Sequence, residues 1–313
     1  MKRSTVLQGL TAGAVAAALP LRARAADTVR FATLPIDTGA QIYYADAEHF
    51  FAKAGLDGQI QSIPNGGAIT AAVVGGSIDV GFSNILSLAI AHERGVPITL
   101  IAPAGLYITK APTSVLMVHK DSPVRDARAL NGKTIAVNGL KNITQLAVQA
   151  WMDKNGGDSK TASFSEMPFP EMPAALAARR IDAALVAEPA VTEAKTNSRV
   201  LAKPYDAIAP DFLIAGWFTS QKWASAHPDL VKKVVAVMRE SAAWANKNTP
   251  ASAEVLARAT KLDPATLRTM VRSVYAERLD AAAIQPLIDL AARYGLLKAA
   301  FPAQDLIDKN ALA

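Results

Sequence analysis

Residues 71–82 read AAVVGGSIDVGF, and residues 174–185 read AALAARRIDAAL. Each stretch is a short apolar helical run, a polar turn, and an Ile-Asp pair that opens an apolar strand. Ile78-Asp79 and Ile181-Asp182 hold the same place in the two copies. The offset of about 100 residues is too long for a solenoid repeat and suits one small domain. Two similar α/β lobes in one chain leave a cleft between them, and such clefts are where small ligands bind.

The elements before each copy follow one order. Thr28–Leu34 reads as a strand, the loop 35–39 leads into a helix over Ala40–Ala54, and a strand follows over Gln59–Ile63. The loop 64–67 opens a helix over Ala68–Val74, and the strand Ile78–Phe82 feeds a helix over Ile85–Arg94. The order restarts with a strand over Thr134–Val137, a polar loop over Asn138–Asn142 and a helix over Thr144–Asn155. A strand over Ala162–Met167, a Pro-rich loop, a helix from Ala174 and a strand from Ile181 complete it. Alternation of this kind predicts an open, mostly parallel sheet flanked by helices in each lobe.

Two apolar extended segments, Thr113–His119 and Phe212–Ser220, are expected to cross between the lobes and act as hinges near Val115–Val118 and Ile214–Phe218. Lobe one then comprises residues 26–115 and 217–313, and lobe two residues 116–216. Helices are expected over Pro228–Lys247, Ala251–Lys261, Pro264–Val274 and Ala281–Tyr294, packed on lobe one. Pro228 suits a first helical position, and Asp263-Pro264 is a cap followed by proline.

Residues 1–25 combine the basic start Lys2-Arg3, a short apolar stretch and Ala23-Arg24-Ala25. This pattern reads as a secretory signal peptide cleaved near Ala25, which places the mature protein in the periplasm. Removing the four basic residues of that leader from the 33 in the chain leaves 29, against 27 acidic residues. No Lys/Arg block remains to suggest nucleic acid. The chain has no cysteine, which excludes thiol catalysis and Cys-rich metal sites.

No catalytic set emerges. The four histidines lack a metal-type partner at i+3 or i+4, and no phosphate loop, dinucleotide fingerprint or nucleophile elbow occurs. Neither a cofactor nor a metal is expected. What recurs is a polar loop at the C-terminal end of a strand, each feeding a helix. In open α/β sheets ligands bind there. Helix starts supply unpaired N–H groups and a partial positive charge, so several of them facing one cleft can hold an anion. The expected ligand-binding residues are Thr38, Asn65, Gly66, Ser83, Asn84, Asn138, Lys141, Asn142 and Thr144. Tyr43 and Trp217 are expected to cover an apolar ligand body, and Glu188 to accept from a ligand N–H or O–H.

These residues carry a resemblance. Glu48-His49-Phe50-Phe51, Ala54-Gly55-Leu56, Pro64-Asn65-Gly66 and Gly76-Ser77-Ile78-Asp79-Val80-Gly81 resemble the nitrate/sulfonate/taurine group of ABC-transporter solute-binding proteins. The binders of pyrimidine precursors in thiamine salvage share this pattern. In the second half Leu130–Val137, Ala174-Ala175-Leu176, Ile181-Asp182-Ala183, Glu188-Pro189 and Trp223 through His227-Pro228 continue it. The resemblance implies a two-lobed α/β periplasmic binding protein of the two-hinge type (type II). Such a protein is a monomer that closes on a small molecule and docks on an inner-membrane permease with a separate ATPase. It is not an enzyme. A small anionic organic solute, such as a sulfonate, a taurine-like compound or an aromatic carboxylate, is the expected ligand. A heteroaromatic pyrimidine-type precursor, an enzyme on the same fold, and a sensor subunit are the alternatives. Two departures stand out. His49 replaces the glycine that commonly precedes Phe-Phe, which implies a less bent or differently packed helix, and Asn138–Asn142 is poorer in Ser/Gly than sulfonate binders usually are.

Overall fold

The computed structural model describes residues 26–63 and 66–311, so the leader and Asn65 lie outside the described residues. The chain opens with β1 (Asp27–Thr33), α1 (Gln41–Ala47), α2 (Phe50–Lys53), β2 (Leu56–Ser62), α3 (Gly66–Val74), β3 (Val80–Asn84), α4 (Ile85–Glu93), β4 (Ile98–Pro103) and β5 (Gly105–Ile108). The second lobe holds β6 (Ser114–His119), β7 (Thr134–Val137), α5 (Ile143–Lys154), β8 (Ser163–Glu166), α6 (Met172–Ala177), β9 (Ala183–Ala187), α7 (Ala190–Ala194) and β10 (Ser198–Ala202). The chain returns through β11 (Asp211–Leu213) to β12 (Ala215–Ser220), α8 (Gln221–Ala226), α9 (Pro228–Lys247), α10 (Thr249–Thr260), α11 (Pro264–Thr269), β13 (Val274–Tyr275) and α12 (Gln285–Arg293).

The duplication is visible in the sheets. One runs β2-β1-β3-β12-β4, and the other, taken from its opposite edge, runs β8-β7-β9-β6-β10. In both, the first three strands are parallel and the fourth is antiparallel to its neighbours. The fourth strand of the first sheet, β12, is reached only after the chain has run through the second sheet, so the chain must cross twice.

The Ile-Asp pairs explain why the repeat survives. The Asp79 amide donates to the Arg30 carbonyl at 2.9 Å, and the Asp79 carboxylate accepts from the Arg30 amide at 2.8 Å. In lobe two the Asp182 amide donates to the Thr134 carbonyl at 2.9 Å, and its carboxylate accepts from the Thr134 amide at 2.9 Å. Each aspartate thereby extends the ladder by one rung through its side chain, and β3 and β9 begin just after it. An unpaired amide at a sheet's rim would otherwise remain.

Three expectations are corrected. Val115–Val118 and Ala215–Phe218 lie inside the sheets, in β6 and β12, each hydrogen-bonded between two neighbours, and Ile214 links β11 to β12, so these segments are not free crossings. Five consecutive buried residues in each strand are the mark of a strand covered on both faces, which explains their unbroken apolar run. The chain passes between lobes in β5 and β11, which pair with each other (Phe212 opposite Tyr107); β5 also pairs with β13 on its other edge. The expected lobe boundaries at 115/116 and 216/217 therefore fall inside strands. The helix over Ala40–Ala54 is broken rather than continuous. His49 takes a left-handed conformation (φ 60), so the chain bends here without the glycine that conformation favours. Finally, the helix from Pro264 stops at Thr269, and Met270 turns extended (ψ 159).

The C-terminal helices do cover lobe one. Helix α9 buries Val231, Val234, Val237, Met238, Ala242 and Ala245, a helical stripe, and its first members share a core with Val29 and Phe31 of β1. Full burial of each larger side chain contributes about 1.5–3 kcal/mol. Tyr44 of α1 packs with Ala242, Leu256 and Leu267 in a second cluster.

Candidate functional site

The C-terminal ends of β1, β3, β7 and β9 face one another across the interlobe cleft, which holds three adjoining hollows. The first has about 50 Å³ of free space, room for only a few waters. Its walls are apolar from both lobes: Leu34, Ile36 and Phe82 from lobe one, Ile143, Phe169 and Tyr205 from lobe two. Thr38, Asn84, Ser114, Asn138 and Thr144 bring polar groups to it. Leu34, Asn84 and Asn138 also line a polar hollow of about 220 Å³ with Gly66, Gly67, Ser83, Asn142 and Glu166. A third, of about 150 Å³, lies between Ile36 and the Pro168–Pro170 loop.

Two helix starts meet here from opposite lobes. Asn84 caps α4, its Oδ1 accepting from the Ser87 amide at 2.9 Å. Asn142 caps α5, its Oδ1 accepting from the Thr144 amide at 3.0 Å. Because that oxygen faces amides, Asn142 Nδ2 must be the end that donates to Asn138, at 2.9 Å. Asn138 Oδ1 receives this bond, with the Thr144 hydroxyl also within 2.9 Å. The orientation of Asn138 is thus forced, and its Nδ2 has no acceptor among the described residues while lining all three hollows. Ser83 Oγ is buried on the wall of the polar hollow, beside Gly66, without a hydrogen-bond partner among the described residues. Two donors on this surface, Asn138 Nδ2 and Ser83 Oγ, are thus uncommitted among the described residues. Among the described lining residues Glu166 carries the single full charge; its Oε2 accepts from the Leu140 amide at 3.2 Å.

The structure brings Thr38, Gly66, Ser83, Asn84, Asn138, Asn142 and Thr144 together in this cleft and leaves four expected residues out of it. Trp217 is fully buried in lobe one, edge-on to Phe82, and its Nε1–H donates to Gln41 Oε1 at 2.7 Å. Tyr43 is half-buried beside Ser62, away from the cleft walls. Lys141 is exposed in a left-handed turn (φ 56), and its amide donates to Gln145. Glu188 is buried but spent: both oxygens accept from Thr192, and Oε1 also accepts from the Val271 amide. Burial pushes its carboxyl pKa up, and these donors partly offset that. The apolar walls were not anticipated. Phe169 had a faint signal, since its Pro-rich loop occupies the place in lobe two that residues 64–67 occupy in lobe one. Tyr205, buried beside Ser114 and edge-on to Tyr107, had none.

Thr38 is held from behind by a buried ion pair. Asp37 is 1 % exposed and accepts from the Arg272 guanidinium at 2.8 and 3.1 Å and from the Ser273 amide. The Tyr275 hydroxyl donates to the Asp37 carbonyl. Burial works to lower the Arg272 pKa, but the Asp37 charge more than reverses this, so the guanidinium stays charged.

A two-lobed α/β protein with a cleft lined from both sheets is the class this geometry defines, and the comparisons agree. The family model described as NMT1/THI5 like matches residues 38–253, and the chain belongs to that family. It has the fold of periplasmic ABC-type solute-binding proteins. It is similar to a Brachyspira hyodysenteriae protein whose name describes an ABC transporter periplasmic binding protein. The two are 29% identical over 181 residues, 55% of this chain and 52% of the other, so the match spans about half the length of that relative. The fold is similar to that of the alkanesulfonate-binding protein SsuA of Xanthomonas axonopodis pv. citri, bound to MOPS. That pair has a TM-score of 0.74 and 19% identity, over 90% of this chain and 98% of that one. The nitrate-binding protein NrtA of Synechocystis PCC 6803 gives a TM-score of 0.78 and 14% identity, over 91% and 86%. The desulfurization enzyme DSZB gives 0.66 and 16%, over 91% and 97%, so this fold also carries an enzyme.

Proposed function

We propose that the chain is the periplasmic solute-binding subunit of an ABC importer, with no catalytic activity of its own. It captures a small organic solute between its lobes and delivers it to a permease powered by a separate ATPase. The observation that carries this reading is the cleft: apolar walls from both lobes around one hollow, and an adjoining surface with two uncommitted donors, Asn138 Nδ2 and Ser83 Oγ. An apolar hollow favours an organic body over a bare inorganic ion. The adjoining surface, with Asn138 Nδ2, Ser83 Oγ and two capped helix starts, favours an anionic, oxygen-rich head group such as a sulfonate or carboxylate. A heteroaromatic solute is the second reading, because Phe82, Phe169 and Tyr205 bring three rings to the same hollow.

A thermal-shift screen of residues 26–313 against sulfonates including MOPS, aromatic carboxylates and pyrimidines tests the proposal. A solute at 100 times its Kd should stabilise the protein by about 2.7 kcal/mol, an evident rise in Tm. Sulfonates or aromatic carboxylates should give the larger rise. Stabilisation by pyrimidines alone would select the second reading, and no response to any of the three classes would contradict both.

A further inference from the structure

Between α11 and β13 the segment 270–273 touches both lobes. On one side is Glu188 of lobe two, 2 % exposed and without an ion-pair partner among the described residues. Three donors satisfy its carboxylate: the Thr192 amide at 3.0 Å, the Thr192 hydroxyl at 3.0 Å, and the Val271 amide at 3.3 Å. The first two are local. The third comes from the other lobe. On the opposite side the next two residues are fixed to lobe one, where Arg272 and the Ser273 amide share the Asp37 carboxylate. Asp37 directly precedes Thr38, a wall of the apolar hollow, and Ser273 Oγ lies 3.5 Å from Thr38 Oγ1. Helix α11 leads into this segment and packs against α7, which begins two residues after Glu188.

We infer that residues 270–273 form an interlobe strap: in the solute-free protein the Val271 amide is docked on Glu188 and holds the lobes together, and the Asp37–Arg272 anchor ties that contact to Thr38. The docking stands independently of what the cleft binds; only the consequence for Thr38 rests on its being a ligand site. When the lobes separate, Glu188 keeps its Thr192 bonds and loses the third donor. A hydrogen bond to a charged, buried acceptor is among the stronger ones, so the contact favours the closed form. A carboxylate is needed because both oxygens must accept. Glutamine offers one acceptor oxygen, and its amide end would meet a donor on one side.

Two variants test the strap on solute-free protein. In Glu188→Ala, hydrogen exchange at the Val271 amide, followed by NMR, should quicken about tenfold or more, while the Ser273 amide on Asp37 exchanges as before. Val271→Pro deletes the donor outright. Met270 already has the extended ψ of 159 that a following proline requires. Its solution scattering should give a larger radius of gyration than the parent's, with unfolding still cooperative. Unchanged exchange at Val271 in Glu188→Ala, or a scattering curve for Val271→Pro that superimposes on the parent's, would overturn the strap. Neither measurement uses a solute, so failure of the strap and failure of the solute-binding function are distinguishable.

Discussion

Lobe one and lobe two share a strand order and the aspartate that pins it, but they hold their cleft faces differently. In lobe two the loop after β7 is locked by its own side chains, Asn138, Asn142 and Thr144 satisfying one another before any solute arrives. In lobe one the corresponding surface has a hydroxyl, Ser83, with no partner among the described residues, and is steadied from behind by Asp37, Arg272 and Tyr275. The lobe that carries the C-terminal helices can hold a buried ion pair, because α10 and the strap close over it. Lobe two lacks that cover and uses short neutral side chains instead. The difference teaches that one backbone frame can present a preset face and an unsatisfied face to the same cleft.

The largest effect expected from this contrast is at Arg272. Arg272→Met leaves Asp37, 1 % exposed, without its counter-ion and should destabilise the protein by about 3–5 kcal/mol in denaturant unfolding. Asn138 is neutral and its removal strands no buried charge, so Asn138→Ala should cost less. A loss below about 1 kcal/mol for Arg272→Met would show that the ion pair is not what steadies lobe one.

The matched aspartates give a finer comparison. The Asp79 side chain is 9% exposed and also receives the Arg30 guanidinium at 2.6 and 2.9 Å, whereas that of Asp182 is 39% exposed with Lys133 3.5 Å away. The Arg30 side chain is itself 41% exposed, so screening discounts that ion pair, and the backbone bond common to both sites remains. Asp79→Ala should cost about 2–3 kcal/mol and Asp182→Ala about 1 kcal/mol, read from urea midpoints. Equal costs would mean that burial and Arg30 add nothing to the shared rung.

Much of the frame was legible because it is local. Glycine stops, polar loops at strand ends and the repeated Ile-Asp place β7, α4, α5 and α9 within a residue or so of their observed bounds. What failed depends on distant partners. TSVLMVH at 113–119 reads equally well as a ribbon between lobes or as a central strand, and only its neighbours β9 and β10 decide. Trp217 and Glu188 have the chemistry of ligand contacts, but Gln41, 176 residues away in sequence, takes the indole, and Val271, 83 away, helps to take the carboxylate. Tyr205 reaches the cleft through a turn between β10 and β11 that no periodicity marks.

The central claim is that both lobes grip one solute in this cleft. Calorimetric titration of Ser83→Ala and Asn138→Asp, against the solute giving the largest thermal shift, tests it most directly. Ser83→Ala removes a hydroxyl that bonds to nothing among the described residues, so folding stability should hold. Asn138→Asp keeps the oxygen that Asn142 and Thr144 need and replaces the free donor with an acceptor. Each should weaken an anionic solute about tenfold or more, one change in each lobe. Parental affinity in both variants, with both still folded, would place the solute elsewhere and contradict a grip shared by the two lobes.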